Sequence, residues 1–357
     1  MEQMIRDLRF ANEQTAAYYL NLLSDIDSNR GTGYMALHNF FRDFYGTLFK
    51  EPEALGMESF PKVSFNSGEF HSKSKPFKRV KDKVIKPVSD CLDLIYKVAS
   101  QGRLKDDTII GDKAFMDKFM KTGKRQKKKL LDAVVELGIK IDADGDSVRL
   151  TTHKQPDMIE ALHLFALKCS QNIHEAGELC FRMCDFGALD TQYKPSIEEI
   201  LQKLYKDKAY NHMSILHKML QDNDFDIRYV YEPHVLNFEI RYTKKEIKTS
   251  PLMAFVFDFK AVNPLKIRLR FIATSRIVPI IQRQPKAVQK DFYETSGQCN
   301  GCGWCNNQKG LLKPSLLRMD TKHKTICWYD VNEYDTINKE IIDLIKGYVT
   351  MHLQLVG

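Results

Sequence analysis

Cys299, Cys302 and Cys305 stand three residues apart within Cys-Asn-Gly-Cys-Gly-Trp-Cys. The glycines between the thiols let the backbone turn sharply enough for neighbouring thiolates to converge on one ion. Cys327 follows 22 residues after Cys305 and completes a tetrahedral four-thiolate site if the intervening chain folds back, with His323 as a reserve ligand. Such a donor set predicts zinc in a closed, structural site. The same three-cysteine spacing also suits an iron–sulfur cluster, but the proline usual after the fourth cysteine is replaced by Trp328. The chain has eight cysteines, and their clustering favours metal or redox chemistry over disulfide staples.

The second chemical signal is charge. The net charge of +8 is unevenly distributed: residues 73–86 hold seven basic side chains against one acidic, and residues 121–129 hold six against none. Dense cationic runs neutralise phosphates and release counterions, so they point to a polyanion, with solvated surface as the plain alternative. Lys124, Arg125, Lys127, Lys128 and Lys129 occupy the first turns of an expected helix, where the macrodipole disfavours positive charge. They are therefore not placed there for helix stability. Together with Lys78 and Arg79 from the first run, and Arg149 from an expected hairpin, they are the candidate nucleic-acid contacts.

Other constellations are weaker. Cys180 and Cys184 lie one helical turn apart with His163, Cys169 and His174 upstream, a pattern that buried cysteines on an apolar helix face explain as well as a metal does. Asp142, Asp144 and Asp146 read as a hairpin turn, since the glycine comes too early for a calcium loop. Asp185-Phe186-Gly187 lacks the companion motifs of a phosphoryl-transfer site. No Walker A, dinucleotide or nucleophile-elbow motif occurs, so nothing positive points to an enzyme.

Several elements must position these residues. Residues 1–50 carry apolar positions at helical spacing with a break at Gly31-Thr32-Gly33, which predicts a helical hairpin, and a looser stretch follows to about residue 75. Val88, Cys91, Leu92, Ile95 and Val98 form the stripe of a helix ending near Gly102. A second helix is expected over 112–120 and a third over 124–136, with Leu130, Leu131, Val134 and Val135 facing a core. Ile139, Ile141, Val148 and Leu150 then alternate around Asp144-Gly145, the pattern of a β-hairpin.

Three helices and a hairpin over residues 84–154 resemble the winged-helix arrangement. That resemblance implies a third helix able to enter a DNA major groove. A helix–helix–hairpin order recurs after Lys194-Pro195 and predicts a degenerate internal repeat. Residues 158–184 read as a connecting helix, residues 252–260 and 265–272 as strands, and roughly 332–353 as a terminal amphipathic helix covering the sheet.

The expected fold is α+β: a helical N-terminal region (1–70), a winged-helix-like middle with its connecting helix (71–190), and an antiparallel C-terminal sheet with the cysteine-rich metal loop (191–357). With 43% hydrophobic and 28% charged residues the chain can bury cores, which excludes wholesale disorder. No apolar run approaches the roughly 20 residues of a membrane span, and the N-terminus reads as no signal peptide, so a cytoplasmic location and no membrane partner are expected. The preferred function is zinc-stabilised nucleic-acid binding with a regulatory use. The alternatives are a zinc-shaped module that docks an acidic protein partner, and a thiolate-based redox or metal sensor.

Overall fold

The computed structural model describes residues 16, 20, 23, 26, 30–59, 75–172, 176–190, 192–205, 207–232, 237–244, 252–258, 265–272, 274–299, 314–327 and 329–356. The fold is α+β, helical towards the N-terminus and with antiparallel sheets later. Two compact units divide the chain: residues 1–203 with 231–237, and residues 204–230 with 238–357.

In the first unit, α1 (Thr32–Lys50) opens after Gly31 and buries Leu37, Phe40, Phe41, Phe44 and Leu48 along one face. Chain direction then changes at a short 3-10 turn, Pro52–Leu55. A further helical run comprises α2 (Lys75–Val80), a π-helical segment (Lys81–Ile85) and α3 (Lys86–Gln101). Next come β1 (Arg103–Lys105), β2 (Thr108–Asp112), α4 (Ala114–Met120), α5 (Lys124–Leu137), β3 (Ile139–Asp144) and β4 (Ser147–Thr152). The four strands form one antiparallel sheet in the order β1-β2-β4-β3. Its apolar residues Ile109, Ile139, Val148 and Leu150 are fully buried, so the period of two read from the sequence is the period of the core face.

α6 (Asp157–Ser170) and α7 (Gly177–Arg182) complete the core, where the expected single connecting helix is two. Phe41 of α1 meets Phe165 of α6 at 6.0 Å and Phe181 of α7 at 5.3 Å between ring centroids. Phe186 stacks on Phe165 at 4.8 Å. These aromatic contacts tie the N-terminal helix into the middle, so residues 1–70, expected as a separate domain, share a unit with it. Arg182, its side chain 2% exposed, pairs with Asp93 on α3, and the Tyr45 hydroxyl donates to the Arg182 carbonyl. α8 (Ile197–Leu204) begins with a reciprocal cap: the Ser196 backbone N–H donates to Glu199 at 2.7 Å, and the Glu199 N–H donates to the Ser196 hydroxyl at 3.2 Å.

The second unit holds a five-stranded antiparallel sheet in the order β11-β8-β7-β6-β5 and a separate β9–β10 hairpin. Its elements are α9 (Asp207–Gln221), β5 (Asp226–Glu232), β6 (Asn237–Thr243), β7 (Met253–Asp258), β8 (Leu265–Ile272), α10 (Thr274–Ile281), α11 (Lys286–Thr295), β9 (Ser315–Met319), β10 (Lys322–Ile326), β11 (Tyr329–Tyr334) and α12 (Lys339–Val356). Ile240, Tyr242, Met253, Phe255, Ile267 and Leu269 fill one sheet face. α12 starts later than the sequence pattern predicts: Asn332 lies in β11 opposite Leu269, and Asn338 supplies the cap, accepting the Ile341 N–H at 2.9 Å.

Candidate functional site

The basic surface is built on the α4–turn–α5 corner of the first unit. Lys121-Thr122-Gly123 joins the helices, and Gly123 adopts φ +66, a left-handed conformation that favours glycine. A short glycine-containing turn between two helices is the connection of a helix-turn-helix. Since Gly123 has no side chain to cap with, and no acidic residue lies in the first turn of α5, that end carries no side-chain cap. Lys124, Arg125, Lys128 and Lys129 are all exposed there, while Leu130 and Val134 face the core.

Lys127 departs from the expectation. It is 5% exposed, and its ammonium donates to the Phe119 carbonyl at 2.6 Å, pairs with Asp90 at 3.0 Å and lies 4.6 Å from the centre of the Phe119 ring. This lysine is spent inside the fold, fastening α5 to α4 and α3, and cannot also meet a phosphate. Its position signals as much, since it precedes Leu130 by three residues and Val134 by seven on the apolar stripe.

The two basic runs, some 40 residues apart in sequence, meet at this corner. Gln126 of α5 donates to the Lys83 carbonyl at 2.8 Å, and Asp90 accepts from both Lys86 and Lys127. Lys78, Arg79, Lys83 and Lys86 are exposed on the same helical run. Arg79 pairs with Glu58 at 2.5 Å. Arg149 is exposed on β4 and pairs with Asp144 at 2.7 Å across the hairpin. Both pairs are solvated, and exposed ion pairs of this kind contribute only about 0–1 kcal/mol.

The thiolates belong to the second unit. Gln298 forms an antiparallel bridge with Ile326, and the Cys299 N–H donates to the Thr325 carbonyl at 2.8 Å. This register sets Cys299 opposite Thr325, with Cys327 two residues further on, so the first and last cysteines of the motif share one face of the ribbon as a diagonal pair. Both are partly exposed. His323 falls on that face too, by the alternation of β10. Cys302 and Cys305 lie outside the described residues, among which no group of three or more His, Cys, Asp or Glu side chains is close enough to hold a metal. Backbone pairing thus sets two of the four cysteines of the motif on neighbouring segments, and thiolate is a donor type that zinc accepts.

The remaining cysteines are core. Cys91, Cys169, Cys180 and Cys184 are buried, and burial pushes the Cys91 thiol up to about 12 and those of Cys169 and Cys184 well above the ordinary range. Such thiols are not thiolates at neutral pH and do not act as ready nucleophiles. Asp185 is buried beside Cys169 and Cys184, and burial raises its carboxyl to about 7.

Among the described residues no helix is long and apolar enough to cross a membrane. Comparison with family models, with curated proteins and with solved structures finds no match.

Proposed function

We propose that the first unit binds nucleic acid through the N-terminal turns of α5, and that a four-thiolate zinc site stabilises the second unit. The observation that carries the reading is the meeting of the two basic runs on one corner, fastened by the Gln126 contact to Lys83 and by the shared Asp90. Charge that was split along the chain becomes one surface. Three helices followed by a β3–β4 hairpin, with β2 beside β4 in the sheet, support a winged-helix arrangement in which α5 is the reading helix. The uncapped start of α5 offers backbone N–H groups and the positive end of a helix dipole to a phosphate. Lys124, Arg125, Lys128 and Lys129 supply the charge around it, Arg149 extends it along the hairpin, and Lys78 and Arg79 extend it along α2. Lys127 is not among the contacts.

The test is fluorescence anisotropy with a labelled 20-base-pair duplex, comparing the full chain with a variant carrying glutamine at positions 124, 125, 128 and 129. The reading expects saturable binding that weakens at least tenfold in the variant, because phosphate neutralisation dominates such affinities. Equal affinity in the two proteins would remove the role assigned to α5.

A further inference from the structure

The first unit also contains an open cleft of about 370 Å³ between the start of α1 and the outer face of α6, a size within the roughly 300–1,000 Å³ range of small-molecule sites. Gly33 creates it. A Cβ on Gly33 would stand 2.2 Å from the Asp157 carbonyl oxygen, so only glycine lets the first turn of α1 press onto the first turn of α6. The Thr32 hydroxyl donates to Asp157 Oδ2 at 2.5 Å and holds the two helix starts together.

The charged side chains lining this cleft are the carboxylates of Asp157 and Glu160, and Asp157 lies against the first turn of α1, which has no side-chain cap of its own. Glu160 and His163 are one turn apart on the same face of α6. Nδ1 of His163 is 2.7 Å from the Ala99 carbonyl, which can only accept, so the neutral ring carries its proton on Nδ1 and keeps Nε2 as an acceptor. Glu160 is exposed and has no ion pair among the described residues. The Thr32 hydroxyl is already committed to Asp157, and among the described residues no lysine or arginine lines the cleft. Its apolar part is Leu104 with Leu164 and Leu167, and the Tyr193 side chain borders the α1 end.

We infer that this cleft binds a small organic ammonium ion with a short apolar or aromatic body. Two carboxylates, with no lysine or arginine lining the cleft among the described residues, disfavour anions, and the acceptors at Glu160 and His163 match the donors of a protonated amine. The leucines take the apolar body. A metal ion is disfavoured, because no three His, Cys, Asp or Glu side chains among the described residues approach closely enough to hold one. The inference is independent of the nucleic-acid reading.

The experiment titrates the full chain with phenethylammonium, its uncharged isostere phenethyl alcohol, and phenylacetate, by calorimetry, while following the His163 ring resonances by NMR. The expected result is saturable one-to-one binding of phenethylammonium, at least tenfold tighter than the alcohol, with shifted His163 signals and no binding of phenylacetate. Glu160→Gln, a substitution at an exposed position, should abolish the preference for the charged probe and leave the unfolding midpoint unchanged. Equal binding of the three probes, absence of binding, or a preference that survives Glu160→Gln would overturn the inference.

Discussion

Replacing Lys127 by methionine separates the lysine that holds the fold from those proposed to hold a ligand. Methionine keeps most of the apolar stem and removes the charge. The Phe119 carbonyl then loses its 2.6 Å donor, and a buried acceptor left unpaired costs about 1–3 kcal/mol. Asp90 keeps only Lys86, but at 29% exposure it can rehydrate, so its share of the loss is modest. Relief from burying the ammonium offsets part of the total, and the net expectation is a loss of about 2 kcal/mol. With a urea dependence of about 2 kcal/mol/M, the unfolding midpoint of the first unit moves down by about 1 M, readable as ellipticity at 222 nm. Lys128→Met, one residue on and exposed, should change stability by less than about 0.5 kcal/mol but flatten the salt dependence of duplex binding. The reasoning fails if Lys127→Met is as stable as the parent, or if it alters the salt dependence as Lys128→Met does.

Asp185 makes stability depend on pH in an unusual direction. Its folded pKa of about 7 lies above the ordinary 3.8, so between those values the folded chain keeps a proton that the unfolded chain releases. The contribution is full below pH 3.8 and is lost as pH rises to about 7. Asp185→Asn stays neutral throughout, so its stability relative to the parent should climb from near zero at pH 4 to a plateau above pH 7, at most about 4 kcal/mol. Urea midpoints across that range measure it, and a difference independent of pH would contradict it. Gly33→Ala should destabilise the first unit by about 1–3 kcal/mol of overpacking, less about 1 kcal/mol of gained helix propensity, with a lowered melting temperature as the readout. Elemental analysis should find one zinc per chain, lost in Cys299→Ser and in Cys302→Ser; a chain free of metal, or full zinc in either variant, would count against the thiolate site.

Strong periodicity makes parts of this fold legible in the sequence. Leu130 and Val134, and then Ile139, Ile141, Val148 and Leu150, announce α5 and its hairpin by switching from helical to alternating spacing, and all six are buried. The β1–β2 hairpin was not legible. β1 is three residues long, too short for a pattern, and its turn uses Asp106 at φ +49 where a glycine would have given warning. α4 starts two residues beyond the expected position because Asp112 ends β2 and accepts the Ala114 N–H at 2.8 Å. α10, with Pro279 inside it, gave a breaker signal within a helix.

The candidate sites divide in the same way. Residue type and spacing marked the cysteines and the lysines, but only tertiary packing could reveal that Lys83 and Gln126 touch, or that Cys299 pairs towards Cys327. Lys127 sits in a run of like charges, and only its phase with Leu130 and Val134 sets it apart from its neighbours. The cleft residues Glu160 and His163 carried a usable hint, a carboxylate and an imidazole three residues apart on one face, yet its significance depends on Gly33 and Leu104, far away in sequence.

The most direct measurement is the slope of log affinity against log salt concentration for a 20-base-pair duplex, using the parent chain, Lys78/Lys83/Lys86→Gln, Lys124/Arg125/Lys128→Gln, and the two sets combined. If the two basic runs form one phosphate-contacting surface, each set lowers the slope by up to about 2–3, and their combination removes most of the salt dependence. A slope that stays at the parent value in the combined variant would contradict the account.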